Sequence, residues 1–122
     1  MIALAMAIFS ENGATMTPAQ VDSLRAQGSG FLLLDVRTEG EFHGSLGHLE
    51  GALLIPVQEL AERLDELEPY KKDTVVVYCR TGNRSHYATE LLRSKGFKAF
   101  NMTGGMVQWN QEKRSVIRQE DR

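Results

Sequence analysis

The segment that most restricts how this chain folds is Val75-Val76-Val77-Tyr78, followed at once by Cys79, the polar turn Arg80-Thr81-Gly82-Asn83-Arg84-Ser85, and then Ala88, Leu91 and Leu92. An unbroken run of β-branched and aromatic residues suits a strand buried on both faces, as in a parallel sheet. Ala88, Leu91 and Leu92 share one face of a helix. A strand, a tight turn and a helix in that order aim backbone N–H groups and the positive end of the helix dipole at the turn. Cys79, the only cysteine in the sequence, therefore stands where negative charge is favoured.

The rest of the chain repeats this alternation. Thr17-Pro18-Ala19-Gln20 has the form of a capping box with proline at the first helical position, which predicts a helix through Leu24 that stops at Gly28. Phe31-Leu32-Leu33-Leu34 is a short apolar run between Gly30 and Asp35 and reads as a second buried strand. Val57, Leu60, Ala61, Leu64 and Leu67 follow helical spacing, and Pro69 is expected to end that helix. Gly96 closes the helix after the cysteine turn, a short strand follows around Ala99-Phe100-Asn101, and a last helix carries Met106 and Trp109. The alternation predicts an α/β fold in which helices cover a parallel sheet. Ligands of open α/β sheets bind beyond the carboxyl ends of the strands, and both Asp35 and Cys79 fall at such ends.

Composition bounds the function classes. The 122 residues, 42% hydrophobic, suffice for one core and are too few for two. A formal net charge of −2 gives no bulk attraction to nucleic acid or to an anionic membrane, so neither is an expected partner and the loop arginines act as a local field. Glu62, Arg63, Asp65, Glu66 and Glu68 read as a solvated helix face. One cysteine excludes an internal disulfide, and a reducing, cytoplasmic location is the simpler expectation. The apolar stretch Met1–Phe9 lacks a positively charged start and is far shorter than the ~20 residues that span a bilayer. It is read as a packed or frayed extension broken at Asn12-Gly13, with a cleaved export signal as the lesser alternative.

The cysteine is the candidate catalytic residue. A thiolate is the nucleophilic form, and its pKa falls near helix N-termini and cations. Arg80 and Arg84 supply the cations, and Gly82 permits a positive φ in the turn. A buried, inert thiol would need neither the glycine nor the arginines. His43, His48 and His86 show no close metal-ligand pair of the zinc type, so no metal site is expected and their roles are read as structural. Trp109 is read as core.

The loop Cys79 to Ser85 resembles the active-site loop of rhodanese-like sulfurtransferases, single-domain members included. Further stretches match that family in the same order. These are Asp35-Val36-Arg37, Glu41-Phe42, Gly47-His48-Leu49-Glu50-Gly51-Ala52 and Ile55-Pro56, with a closing Gly104-Gly105-Met106 and Trp109. The resemblance runs from Met16 to Trp109 and departs from the family in two places. His43-Gly44-Ser45-Leu46 is a longer connection than usual, expected to enlarge a surface loop at low entropic cost. Leu54 stands where many members carry asparagine.

The resemblance implies a three-layer rhodanese-like fold, with a central parallel sheet of about five strands beginning near Met16 and helices on both faces. It divides the chain into an N-terminal extension over 1–15, a rhodanese-like domain over 16–112 and a polar tail over 113–122, whose Val116 and Ile117 could dock on the core. It also implies a site made of Cys79 with the loop residues Arg80, Thr81, Gly82, Asn83, Arg84 and Ser85, supported by Asp35 and Arg37. An ion pair with no part in the reaction explains Asp35 and Arg37 equally well.

The expected activity is transfer of a sulfane sulfur from thiosulfate or a similar donor to cyanide, a small thiol or a protein thiol, through a Cys79 persulfide and without a cofactor. A persulfide carrier or protein-binding module with little turnover is the alternative. A cysteine phosphatase or arsenate reductase relative is less favoured, because phosphatase loops place one more residue between cysteine and arginine than the four that separate Cys79 from Arg84.

Overall fold

The computed structural model describes residues 9–10 and 13–118. The readings made for residues 1–8, for Asn12 and for the end of the tail, 119–122, lie outside the described residues. Six strands form one sheet: β1 (Phe9–Ser10), β2 (Gly13–Met16), β3 (Phe31–Asp35), β4 (Leu53–Leu54), β5 (Thr74–Tyr78) and β6 (Lys98–Met102). Their spatial order is β1-β2-β6-β5-β3-β4. The five strands β2 to β6 are mutually parallel, and β1 adds an antiparallel edge.

Period-two geometry explains why the runs Leu32-Leu33-Leu34 and Val75-Val76-Val77-Tyr78 are apolar throughout. Leu33 lies opposite Val76 in the β3–β5 register. Leu32, Leu34, Val75 and Val77 point to one face and meet Leu60, Leu67, Ala88 and Leu92. Leu33, Val76 and Tyr78 point to the other and meet Val21, Met106 and Trp109. The helices α1 (Pro18–Arg25) and α5 (Gly105–Gln111) cover this second face, and α3 (Val57–Leu60) and α4 (Asn83–Ser94) cover the first. Trp109 is fully buried and its indole N–H donates to the Ser115 carbonyl at 2.9 Å, as its reading as core requires.

The capping box read in the sequence is formed at α1. Thr17 Oγ1 accepts from the Gln20 N–H at 3.1 Å, and the Gln20 side chain accepts from the Thr17 N–H at 2.8 Å. The helix expected over Val57 to Leu67 is a different matter. It is split into α3 and a 3₁₀ helix over Leu64–Tyr70, and Pro69 lies inside the second piece. Pro69 has no N–H to give the carbonyl four residues back, and its ring crowds that carbonyl, so an α-turn cannot be completed there. Tighter i to i−3 bonds already end α3 (Glu62 to Glu59, Arg63 to Leu60), and others hold the second piece around Pro69 (Glu66 to Arg63, Lys71 to Glu68). The pattern that suggested one helix survives because both Leu60 and Leu67 still reach the core.

The connection His43 to Leu46 follows a one-turn helix, α2 (Glu39–Phe42), which has a capping box of its own: Thr38 Oγ1 accepts from the Glu41 N–H at 3.1 Å and Glu41 Oε1 accepts from the Thr38 N–H at 3.0 Å. The segment then turns at Gly47 (φ 68°), where a Cβ would stand 2.6 Å from the Ile117 carbonyl oxygen. His48 and Ile117 exchange backbone hydrogen bonds at 3.0 and 2.8 Å, and Val116 packs against the second core cluster.

Candidate functional site

The end of β5 delivers Cys79 to the carboxyl edge of the sheet, and the next residues fold back over it. Gly82 adopts φ 117°, a left-handed conformation that favours glycine, and α4 begins at Asn83. This turn points donors at the sulfur. The Gly82 N–H donates to Cys79 Sγ at 3.1 Å, the Ser85 N–H at 3.4 Å, and Ser85 Oγ lies 3.3 Å away. Burial pushes the thiol pKa up. The Ser85 hydroxyl and the N–H groups of Ser85, Gly82 and Thr81 more than offset that cost, so the thiol is held below its ordinary value.

A second element clamps the loop from the far side. The Met106 and Val107 N–H groups donate to the Cys79 and Arg80 carbonyls, both at 3.0 Å. Gly105, at φ 56°, lies so close that a Cβ there would overlap both carbonyl oxygens. The Gly104-Gly105 pair thus lets α5 dock on the cysteine loop.

The structure gives the two loop arginines different jobs. Arg84, read in the sequence as a cation beside the sulfur, donates from Nη1 and Nη2 to the two Glu41 carboxylate oxygens, each at 2.8 Å. The Arg84 guanidinium, more than any other group, pulls the Glu41 pKa down to about 2. A bidentate pair of this kind ties α2 to the loop, and the arginine's charge still reaches the sulfur, since Cys79 is among the groups that hold the Arg84 pKa up. The largest causes that lower the thiol pKa are the hydrogen bonds from Ser85, Gly82 and Thr81. Arg80 makes no ion pair with any described residue. It lines a depression of about 390 Å³ together with Arg37, Glu41, Ser45 and Leu46. The longer connection after Phe42 therefore forms part of the rim beside the loop.

Asp35 and Arg37 are fully buried and joined side to side. Arg37 Nη2 donates to Asp35 Oδ2 at 2.7 Å, Nε to Oδ1 at 3.0 Å, and the Arg37 backbone N–H to Oδ1 at 3.0 Å. The same Nη2 donates to the Gly47 carbonyl at 2.7 Å. Among the described residues neither side chain hydrogen-bonds the sulfur. The Thr81 N–H contributes to lowering the thiol pKa, and Asn83 is the first residue of α4.

The histidines are occupied elsewhere. His48 stacks on Phe42 with ring centroids 3.6 Å apart and donates from Nδ1 to the Phe42 carbonyl at 2.9 Å. His43 meets Phe42 edge-on. His86 faces Glu90 at 3.3 Å on the exposed side of α4. Two site residues escaped sequence reasoning. Glu41 was seen only as part of a motif, and Asn101 only as part of a strand. Asn101 Oδ1 lies 2.6 Å from Ser85 Oγ, and its Nδ2 donates to the Gly82 carbonyl at 3.2 Å. A polar residue in the middle of the buried strand Ala99-Phe100-Asn101-Met102 was the available signal, since buried amides need partners.

Comparison with known proteins agrees with this geometry. The family model described as "Rhodanese-like domain" matches residues 17–112. Thiosulfate sulfurtransferase PspE of Escherichia coli is 37% identical over 73 residues, which are 60% of this chain and 68% of that protein. Adenylyltransferase and sulfurtransferase MOCS3-2 of Zea mays is 36% identical over 105 residues, which cover 81% of this chain but 21% of that one. The crystal structure of a rhodanese-related protein from Thermoplasma volcanium superposes with a TM-score of 0.76 at 28% identity, covering 84% of this chain and 96% of that one.

Proposed function

The chain belongs to the rhodanese-like domain family, and on that premise we propose that it transfers a sulfane sulfur through a persulfide on Cys79. The observation that carries this reading is the convergence of the Gly82 N–H, the Ser85 N–H and the Ser85 hydroxyl on one sulfur atom. That arrangement favours the anionic form of the sulfur at a buried site.

In the first step the Cys79 thiolate attacks the sulfane sulfur of thiosulfate or a similar donor. The new bond joins Sγ to that sulfur, and the donor's S–S bond breaks with its electron pair leaving on sulfite. In the second step a nucleophilic acceptor such as cyanide, a small thiol or a protein thiol bonds to the outer sulfur. The Sγ–S bond breaks, and its pair returns to Cys79 as thiolate. Arg80, at the rim and without an ion-pair partner among the described residues, is the cation that meets an anionic donor. Both steps use only the side chains and backbone already described.

Incubation with thiosulfate should add the mass of one sulfur to the intact protein, and Cys79→Ser should abolish that gain while remaining folded. Sulfur transfer by a well-folded Cys79→Ser variant would refute the covalent route. A second reading has this domain as a carrier that hands sulfur to a partner protein. The maize relative supports it, since a chain named for adenylyl transfer as well contains the matching region as a fifth of its length. Repeated turnover with cyanide supports an enzyme, and a single loaded sulfur discharged slowly to cyanide supports a carrier.

A further inference from the structure

Ser85 Oγ sits between two atoms that both want its proton. Cys79 Sγ is 3.3 Å away and Asn101 Oδ1 is 2.6 Å away. A hydroxyl has one proton and two acceptor lone pairs, so it cannot donate to both. The orientation of the Asn101 amide is fixed by Gly82, whose carbonyl only accepts and faces Nδ2 at 3.2 Å. The reversed amide would set two acceptor oxygens against each other there. Oδ1 must therefore face Ser85. All three side chains are buried, with Ser85 0%, Cys79 1% and Asn101 7% exposed, so each unmet partner carries a desolvation cost.

We propose that Asn101 is a positioning residue, which takes the Ser85 hydroxyl proton whenever the Cys79 sulfur is uncharged and yields it to the sulfur whenever that atom is anionic. This inference rests on the reading of Cys79 as the nucleophile of sulfur transfer. In that cycle Sγ alternates between the two conditions. It is a thiolate before attack on the donor and again as the leaving group in discharge. It is a neutral, divalent sulfur while the persulfide stands. A hydroxyl locked on Sγ would serve only the anionic stages. A hydroxyl with a second acceptor has a hydrogen bond at every stage and changes partner by rotation about one bond. Asn101 thereby also competes with the thiolate, and holds the thiol less acidic than Ser85 alone would make it.

The charged groups around the sulfur leave this competition intact. Arg84, paired with Glu41, faces it from the loop and α2. The Asp35–Arg37 pair lies at the end of β3, and His86 with Glu90 is on the exposed side of α4. None of them hydrogen-bonds Ser85 Oγ or the Asn101 side chain among the described residues.

The test is the pH dependence of Cys79 alkylation by iodoacetamide in the full chain, for wild type, Ser85→Ala, Asn101→Leu and the double variant. A donor to a charged acceptor is worth enough that Ser85→Ala should slow alkylation roughly tenfold on the acid side of the profile. Asn101→Leu should speed it roughly threefold or more, because the hydroxyl no longer has a rival acceptor. In the double variant the Asn101 effect should vanish, leaving the rate within about twofold of Ser85→Ala. An Asn101→Leu effect of equal size with and without the Ser85 hydroxyl would overturn the proposal, as would slower alkylation in Asn101→Leu.

If leucine prevents folding, Asn101→Val, whose branched side chain suits a strand, replaces it with the same expected signs. The wild-type protein gives an independent reading: the side-chain carbonyl carbon resonance of Asn101 should titrate together with the thiol, and a resonance that stays fixed through that titration refutes the exchange. None of these measurements needs a sulfur donor. Failure of the protein to take up sulfur from thiosulfate would refute the function proposed above while leaving the proton exchange separately decided.

Discussion

Asp35 and Arg37 present the sharpest quantitative case. Replacing Arg37 by methionine removes a guanidinium that is 1% exposed and leaves the fully buried Asp35 carboxylate without its counter-ion. Breaking a buried pair from one side costs about 3–5 kcal/mol, because the charge left behind is uncompensated. The upper end applies here, since the Gly47 carbonyl loses the same Nη2 donor and an unmet buried acceptor adds about 1–3 kcal/mol. Against a total stability of about 5–15 kcal/mol, such a loss is a large fraction.

Asp35→Asn is the informative partner. In the wild-type background it strands a buried guanidinium and should destabilise by a similar amount. In the Arg37→Met background it removes the stranded charge yet keeps an acceptor for the Arg37 backbone N–H, which donates to Oδ1 at 3.0 Å. The same substitution should therefore be harmful in one background and helpful, by about 1–3 kcal/mol, in the other. Urea unfolding followed by circular dichroism of the four proteins measures this. A destabilisation of the same sign and size in both backgrounds would refute the account of Asp35 and Arg37 as a buried charge pair whose members answer to each other.

Two further predictions concern the supports of the site. Glu41→Gln should flatten the acid limb of the stability curve. The Glu41 pKa is about 2 when folded against an ordinary 4.5, so its contribution is complete above the ordinary value and is lost as the pH falls through about 2. Unfolding midpoints that fall equally steeply in wild type and variant across that window would contradict it. Tyr78→Phe removes the phenolic oxygen that accepts from the Leu49 N–H at 3.1 Å. Both residues are fully buried, so the orphaned N–H should cost about 1–3 kcal/mol in denaturant unfolding.

How much of this could be read before any coordinates existed depended on whether the cause was local. The strand Val75 to Tyr78 and the capping box at Thr17 were legible because period, propensity and capping act over a few residues. The break between Leu60 and Leu64 was hidden because helical spacing of apolar residues is preserved by a 3₁₀ turn, and only the position of Pro69 hinted at it. Partnerships across the sheet were hidden for a different reason. Arg84 meets Glu41 across 43 residues of sequence, and Ser85 meets Asn101 across 16. Charge and polarity at a single position say that a partner is needed, and the fold decides which one is in reach.

That distinction bears on the choice between sulfur and phosphate chemistry. Loop length alone suggested that four residues between Cys79 and Arg84 make too small a cradle for a phosphoryl group. The structure adds a second, independent reason. A phosphoryl group wants a bidentate guanidinium facing the nucleophile, and the terminal nitrogens of Arg84 are already spent on Glu41. The donors from Gly82 and Ser85 converge on Sγ itself. Recruiting Arg84 for an oxyanion would mean freeing Glu41, a partly buried carboxylate that also accepts from the Thr38 N–H and caps α2. Short spacing, an occupied arginine and donors focused on a single atom all favour a site in which the charge to be managed resides on one sulfur at a time.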